Sequence, residues 1–401
     1  MPELTSASRK ANRELNLQEF AAGSTSLLSR PRVLFVELTE NCNLSCPMCR
    51  SGGAFDRSKN MSVELFDHIA EELFPTAEIV DLRGWGESTV LRNFPEYVDK
   101  TLAYGCRVRL VTNLTVPNER LWRHLVRNRS LITVSFDAAE EATFAALRTG
   151  AKLRTILRNL EILADEARVS GVGTDGINLN VVVQAAALDE LDRIIEIAGG
   201  LGFRVHLAPV TLGSDDPGNL RFHRERLARA VRKAAAVAEE TGADVRLAAA
   251  LDEGWAVSEH AGKTCTHPWM YCYVNHTGKV GFCDHLIGAP GSAYLLGDLT
   301  TTPFEQIWNG DAYQRLRAEH AAWERGISPR FEECNWCYRN RYVDFDEESN
   351  PDYAQHIVRL TAASCPAGVP RSDPGPGLPA GAPPAALLPI ADVTSRAAHP
   401  E

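Results

Sequence analysis

No apolar run in the 401 residues approaches the length that a membrane span requires. The first twenty residues are polar and mixed in charge, so they lack the apolar core of a signal peptide. Basic residues are outnumbered, with 42 Lys and Arg against 52 Asp and Glu, and the net charge is −10. Nucleic-acid binding needs a basic surface, so this balance argues against it, and a negative field favours a neutral or cationic substrate. We therefore expect a cytoplasmic protein that acts without membrane or nucleic acid.

The cysteines are numerous and clustered. Ten cysteines in a reducing compartment favour metal ligation over disulfides. Cys42, Cys46 and Cys49 fall within eight residues, just past the apolar run at 33–38. Three thiolates on one loop can hold three irons of a [4Fe–4S] cluster and leave the fourth iron open to a substrate or cofactor. A closed structural zinc site would need a fourth ligand.

Strand-like and helix-like segments alternate from Arg32 onwards. The predicted strands are 32–38, 79–83, 107–112, 131–136, 177–183 and 203–209. The predicted helices are 63–74, 118–127, 152–168 and 188–200, the last stopping at Gly199–Gly200, and then 219–241. A strand at 244–249 and a hairpin turning at Thr277–Gly278 follow. Such units imply a parallel sheet, and an open or closed barrel and a doubly wound sheet fit the pattern equally well.

Polar residues follow the predicted strands, at the edge where a parallel sheet presents its ligands. These residues are Gly84, Gly86, Glu87, Asn113, Ser135 and Asp137. The glycines allow the backbone to approach a ligand closely, and the Glu87 carboxylate could accept bonds from an ammonium group. Asn113 and Asp137 could equally well cap helices.

The triplet of Cys42, Cys46 and Cys49, with apolar Met48 before its last cysteine, resembles the signature of the radical S-adenosylmethionine superfamily. The resemblance implies a partial (β/α)6 TIM-like barrel. It also implies a [4Fe–4S] cluster whose open iron binds S-adenosyl-L-methionine, which is cleaved to a 5′-deoxyadenosyl radical after a one-electron reduction. An external donor such as flavodoxin or ferredoxin would supply that electron.

Further residues carry the same resemblance. The segment 83–88 partly matches the family's Gly-Gly-Glu-Pro motif, with Trp85 for a glycine and Ser88 for the proline, which implies that Gly84, Gly86 and Glu87 bind the cofactor's amino group. Asn113, Ser135 and Asp137 stand at positions that the family places near the cofactor. Arg148 resembles a family arginine near cofactor or substrate and is a candidate catalytic residue, with a surface salt bridge as the alternative.

Five cysteines mark the C-terminal part of the chain, namely Cys265, Cys272, Cys283, Cys334 and Cys337. They resemble a small α+β auxiliary-cluster domain of the SPASM or Twitch type. The resemblance implies one auxiliary [4Fe–4S] cluster held by Cys265, Cys283, Cys334 and Cys337. Cys272 is then a substitute ligand or a free thiol, and a structural zinc site is the alternative. The nearby residues His267, His276 and His285 are expected to support the site without ligating metal.

The C-terminal cysteine spacing is similar to that of Twitch-type enzymes that act on aminocyclitols. That similarity implies a dehydrogenase-like oxidoreductase of aminoglycoside-type natural-product biosynthesis. It would take hydrogen from an aminosugar or aminocyclitol carbinol and oxidise it to a ketone through the auxiliary cluster. The alternatives are elimination from an aminosugar diol, maturation of a ribosomally made peptide, and a non-catalytic iron–sulfur or zinc scaffold.

The domain organisation is predicted in six segments. They are a polar arm or helix at 1–30, the barrel at 31–215, a connecting helix and strand at 216–260, the auxiliary-cluster domain at 261–345, an extension at 346–365 and a disordered tail at 366–401. Cys106 and Cys365 are isolated, which is typical of buried cysteines acting as small apolar residues.

Overall fold

The structure is a computed structural model that describes residues 6–49, 54–210, 212, 215–247, 265–283, 294–323, 328, 331, 334 and 358–361. The predictions for Cys337, Cys365, His285 and the tail at 366–401 lie outside the described residues. Among the described residues, no helix combines the length and the apolar composition that a membrane crossing requires.

One sheet organises the described chain. Its strands are β1 (Val33–Val36), β2 (Ile79–Asp81), β3 (Arg107–Thr112), β4 (Leu131–Ser135), β5 (Ile177–Val183), β6 (Arg204–Pro209), β7 (Val245–Leu247), β8 (Tyr271–Val274), β9 (Lys279–Gly281), β10 (Gly297–Asp298) and β11 (Val358–Arg359). Their order across the sheet is β10-β9-β8-β1-β2-β3-β4-β5-β6-β7-β11. The strands from β8 through β7 in this order pair in parallel, and β9, β10 and β11 pair antiparallel at the two edges.

The strand order decides between the two predicted architectures. From β1 to β7 the strands follow the chain without reversal. A doubly wound sheet would reverse its order at a switch point, so that alternative is excluded. The predicted α/β class is confirmed, with a parallel sheet of the partial TIM-barrel kind and a small C-terminal region beside it.

Helices connect the strands. The α-helices that the structure describes are α1 (Ser6–Ala21), α2 (Val63–Leu73), α3 (Phe94–Ala103), α4 (Glu119–Arg127), α5 (Glu141–Leu147), α6 (Leu153–Ser170), α7 (Leu191–Leu201), α8 (Arg224–Thr241), α9 (His267–Met270), α10 (Phe304–Trp308) and α11 (Asp311–Ala321). Short 3-10 helices cover Arg57–Lys59, Ser88–Val90, Ala185–Glu190 and Leu220–Phe222.

The end of α7 differs from the prediction. The helix continues through Gly199 and Gly200 and ends at Gly202, which takes a left-handed φ of 72°. A Cβ on Gly199 would lie 2.7 Å from the Cβ of Thr241. The glycine at 199 therefore serves the close approach of α7 to the end of α8, and the turn that stops the helix falls three residues later.

The two faces of the sheet differ in polarity. On β5 the buried residues Leu179 and Val181 alternate with half-buried Asn178 and Asn180. Side chains alternate across a strand, so the apolar set packs beneath the helices and the polar set lines the opposite face. We call this the inner face; it is defined by Phe35, Asp81, Arg109, Ser135, Asn180 and His206.

The C-terminal region is continuous with the sheet. β8 pairs with β1, and the predicted hairpin turn is confirmed at Gly278, where φ is 86°. Trp308 Nε1 donates to Ser29 O at 2.9 Å, and Asn16 Nδ2 of α1 donates to Trp269 O at 2.8 Å. The N-terminal segment is therefore a helix that packs against this region.

Candidate cluster and cofactor site

The three cysteines of the triplet lie on the loop after β1. Cys42 is half-buried, Cys46 is buried and Cys49 is exposed. Ser45 N donates to Thr149 O at 3.0 Å, which ties the loop to the segment after α5.

Two N–H groups are directed at the sulfur of Cys42. Leu44 N lies 3.4 Å from Cys42 Sγ, and Asn113 Nδ2 lies 3.8 Å from it. Burial raises the pKa of the Cys42 thiol to about 11, against the opposing effect of the Leu44 N–H. A bound metal must therefore displace the thiol proton. Hydrogen bonds to ligand sulfurs are one of the factors that set the potential of an iron–sulfur cluster.

Arg148 brings a positive charge to the second cysteine. Its Nε lies 2.6 Å from Asp137 Oδ2, and Asp137 Oδ1 accepts from Val182 N at 2.8 Å. Burial would lower the pKa of Arg148, but Asp137 more than compensates and the pKa is raised. Burial raises the pKa of Cys46, and the charge and hydrogen bond of Arg148 oppose that effect. Arg148 thus pairs with a buried carboxylate and contacts Cys46, a predicted cluster ligand, instead of forming a surface salt bridge.

A compact group of potential metal ligands lies beside the cysteine loop. Among the described residues, the one group with ligand atoms all within 4.8 Å of one another is Glu37, Glu40 and His276. The triplet is not part of that group. In a [4Fe–4S] cluster each thiolate binds a different iron, so its ligand sulfurs stand further apart than the ligands of a single ion.

Glu87 is almost fully buried and joins two loops. Its Oε1 accepts from Thr89 Oγ1 at 2.6 Å and from Thr112 Oγ1 at 2.9 Å, and its Oε2 accepts from Asn113 N at 2.6 Å. Burial raises the pKa of Glu87 despite these donors. The carboxylate therefore links the loop after β2 to the loop after β3 by hydrogen bonds. A hydrogen bond between Glu87 and the cofactor's amino group stays a prediction.

Gly84 and Gly86 allow a close approach of the backbone. In the described structure, the groups that approach them belong to the protein itself. A Cβ on Gly84 would lie 2.3 Å from Glu37 Cγ, and one on Gly86 would lie 2.2 Å from Asn41 O. Gly86 N also donates to Thr39 O at 3.1 Å. The two glycines pack the loop after β2 against the start of the cysteine loop, and their contact with the cofactor stays a prediction.

Ser135 begins a polar row on the inner face. Its register partner is Asn180, whose partner on β6 is His206. Burial lowers the pKa of His206 to about 4, and the charges of Arg204 and Arg246 act in the same direction, so the ring is neutral at neutral pH. On the same face Asn178 Oδ1 is buried without a hydrogen-bond partner in the described structure. An unsatisfied buried acceptor of this kind is a place for a ligand or a water.

The structure describes three of the four predicted auxiliary ligands. Cys265 and Cys283 are half-buried, and Cys334 is buried. Cys265 Sγ lies 3.5 Å from His267 Nδ1. The His267 ring stacks on Tyr271 at 4.2 Å between centroids, and Tyr271 stacks on Phe35 at 5.6 Å. A stacked aromatic column thus connects a predicted auxiliary ligand with the inner face.

The remaining described cysteines lie in the core. Cys272 is fully buried on β8, where burial raises its thiol pKa strongly. Cys106 is also buried, as predicted for an isolated cysteine, and burial raises its pKa to about 11.

Sequence analysis missed a buried polar group beneath the cysteine loop. Glu37 is fully buried; its Oε1 accepts from Trp85 N at 3.0 Å, and its Oε2 accepts from Tyr273 OH at 2.9 Å. His276 Nδ1 lies 3.5 Å from the same carboxylate. The signal that could have found it is a charged residue, Glu37, directly after the wholly apolar strand β1. This group connects the cysteine loop with the C-terminal hairpin.

Comparison with known proteins agrees with this geometry. Residues 36–188 match the model of the radical SAM superfamily, and residues 265–338 match the SPASM model of an iron–sulfur cluster-binding domain. The first match includes the triplet, Glu87 and Arg148. The second includes all four predicted auxiliary ligands.

Relatives match over most of the chain. An AdoMet-dependent heme synthase of Methanosarcina barkeri is 24% identical over 351 residues, which is 80% of this chain and 96% of that protein. Mycofactocin maturase MftC of Mycobacterium tuberculosis is 24% identical over 327 residues, 79% of this chain and 80% of the maturase. The structure of Streptococcus suis SuiB bound to S-adenosylmethionine has a TM-score of 0.56 at 13% identity, covering 76% of this chain and 71% of SuiB, and this likeness shows the fold.

The fold and the cysteine triplet agree with the first match, which identifies residues 36–188 as a radical SAM domain. The chain carries a radical SAM domain followed by a SPASM domain. A [4Fe–4S] cluster with S-adenosylmethionine belongs to the first domain, and auxiliary iron–sulfur ligation belongs to the second.

Proposed function

We propose that this enzyme modifies a ribosomally made peptide by radical chemistry. The observation that carries the proposal is the long alignment with mycofactocin maturases, which covers 79% of this chain and extends well beyond either domain match. Four matched relatives, from Mycobacterium tuberculosis, Mycobacterium ulcerans and Mycolicibacterium smegmatis, carry that name.

The inner face supports a substrate of this kind. Ser135, Asn180 and neutral His206 offer hydrogen-bond donors and acceptors without a fixed charge. Asn178 adds a buried acceptor that needs a donor. Peptide groups carry both one donor and one acceptor per residue and fit such a surface.

The residues of the chain have distinct tasks in this account. Cys42, Cys46 and Cys49 hold the first cluster, and Arg148 and Asn113 hydrogen-bond to its sulfur ligands. When bound, this cluster and S-adenosylmethionine supply a 5′-deoxyadenosyl radical that removes a hydrogen atom from the substrate. Cys265, one of the predicted auxiliary ligands, lies at the far end of the column of His267, Tyr271 and Phe35, where an electron from an oxidised substrate can leave the inner face.

Oxidation of an aminosugar or aminocyclitol carbinol, which the C-terminal cysteine spacing implies, is the alternative. One assay separates the two. Reduced enzyme and S-adenosylmethionine are incubated with a short precursor peptide encoded beside the enzyme, and separately with a panel of aminosugars and aminocyclitols, and products are analysed by mass spectrometry. We expect a mass change in the peptide that Cys46→Ala abolishes. A mass loss of two hydrogens in a panel compound, with the peptide unchanged, would favour the alternative.

A further inference from the structure

The cysteine loop reaches solvent between two neighbouring segments. Asn43 and Ser45 are exposed. Asn43 Nδ2 donates to Thr115 Oγ1 at 2.8 Å, and Ser45 N donates to Thr149 O at 3.0 Å. The loop after β3 and the segment after α5 therefore frame the exposed part of the cysteine loop.

Helix α6 contacts one side of this frame, the loop after β3. Asn159 Nδ2 donates to Leu114 O at 2.8 Å and to Val116 O at 3.2 Å, both on the loop after β3. Beside these contacts lies a groove of about 360 Å³, whose lining includes Pro117, Arg154, Thr155 and Arg158. The groove is thus built against the same loop that contacts Asn43.

The start of α6 carries three cations, Lys152, Arg154 and Arg158, which we call the α6 cationic surface. All three are exposed, and none of their side chains forms a hydrogen bond or an ion pair in the described structure. The acid that lines the groove, Glu119, is paired with Arg123 at 2.8 Å, and Glu161, three residues past Arg158 on α6, forms no ion pair in the described structure and leaves the three cations in excess. The surface is therefore locally positive on a chain whose net charge is −10.

We propose that an acidic one-electron carrier protein docks on the α6 cationic surface and reduces the first cluster there. The net charge of the enzyme repels an acidic partner, so a local patch of unpaired cations decides where such a partner docks. The carrier loses one electron and the cluster gains it, and no bond forms or breaks. The inference rests on the proposed radical chemistry, because S-adenosylmethionine cleavage consumes that electron.

Charge reversal tests the surface. Enzyme reconstituted with its clusters is mixed anaerobically in a stopped-flow instrument with fully reduced flavodoxin, an acidic carrier, and bleaching of the cluster is followed. In the triple variant Lys152→Glu, Arg154→Glu, Arg158→Glu, we expect the second-order rate constant to fall about tenfold or more at low ionic strength. The wild-type rate should decline as salt is added, and the variant should lose that dependence. The neutral variant with three Gln substitutions should fall between them.

A matched control reverses three exposed arginines of α8, namely Arg224, Arg229 and Arg232. We expect it to be reduced by flavodoxin at the wild-type rate. Dithionite, a small reductant that needs no docking surface, should reduce all variants equally. Equal flavodoxin rates for the α6 variant and the wild type would overturn the docking proposal. Failure of dithionite-reduced wild type to release 5′-deoxyadenosine would instead overturn the radical chemistry, so the two failures are distinguishable.

Discussion

Arg148 and Asp137 form a buried ion pair in which Nε and Oδ2 are 2.6 Å apart. The pair holds the guanidinium against Cys46, so that a fixed positive charge lies beside one predicted ligand of the first cluster. The two residues lie in separate parts of the barrel. Asp137 lies just after β4, and Arg148 lies at the end of α5.

Removing this charge should make the first cluster harder to reduce. Reduction adds negative charge, which Arg148 stabilises. We expect Arg148→Met to lower the midpoint potential by roughly 40 mV, the one-electron equivalent of about 1 kcal/mol, which is the net size of a typical intramolecular hydrogen bond. The measurement is an EPR redox titration without S-adenosylmethionine.

Two controls accompany the Arg148 variant. Arg168→Met removes an exposed arginine at the far end of α6 and should leave the potential unchanged. Arg148→Lys keeps the charge and should restore part of the shift. A potential in Arg148→Met equal to that of the wild type would show that the guanidinium does not act on the cluster.

Loss of an auxiliary ligand should separate radical formation from substrate oxidation. We expect Cys334→Ala to contain less iron, to retain S-adenosylmethionine cleavage and to lose most of the oxidised product. Cys272→Ala is the matched control, because its thiol is buried in β8 and should not ligate metal. Equal product from Cys334→Ala and wild type would indicate an auxiliary site that takes no part in the reaction.

Glu87 should matter for stability as well as for any cofactor contact. Glu87→Gln turns an acceptor-only group into one that also donates, so the bond from Asn113 N or Thr112 Oγ1 is weakened. We expect a loss of about 1–3 kcal/mol in the free energy of unfolding, the range for a buried donor left unsatisfied. Chemical denaturation measures it, and Glu161→Gln, on the exposed side of α6, should change stability by less than about 0.5 kcal/mol. Matching stabilities for the two variants would contradict the structural role of Glu87.

His206 predicts a pH dependence of stability. Its pKa is about 4 in the folded protein, below the ordinary value of 6.5. Between about pH 6.5 and 4, His206 is protonated in the unfolded chain but not in the folded chain. The free energy of unfolding therefore falls as the pH drops through this range. We expect His206→Gln to remove part of this decline, on the order of 2 kcal/mol by pH 4.

Denaturation at several pH values between 4 and 7.5 checks this prediction. The wild type, measured at the same pH values, is the control. A slope in His206→Gln as steep as in the wild type would show that His206 is not held neutral.

The barrel could be predicted from local patterns. Strands such as β5 and helices such as α4 carry an alternation or a helical period that is set by burial of one face. The cysteine triplet could also be predicted as a cluster-binding motif, because its three residues lie close together in the sequence. Helix α7 shows the limit, since its passage through Gly199 depends on contact with Thr241 on another helix.

Contacts between distant segments could not be predicted. Gly84 and Gly86 read as ligand-binding glycines, yet in the structure they adjoin Glu37 and Asn41 of the cysteine loop. The hydrogen bond from Tyr273 to Glu37 joins residues 236 positions apart. Such a pairing depends on β8 lying beside β1, which no local pattern in either segment specifies.

We expect the triplet to hold one iron–sulfur cluster and the C-terminal cysteines to hold another. The most direct test is the iron and sulfide content of anaerobically reconstituted protein, wild type against Cys42→Ala, Cys46→Ala, Cys49→Ala. We predict two [4Fe–4S] clusters in the wild type and one in the triple variant, and we predict that the wild type alone releases 5′-deoxyadenosine. Zinc in place of iron, or unchanged 5′-deoxyadenosine release from the triple variant, would contradict it.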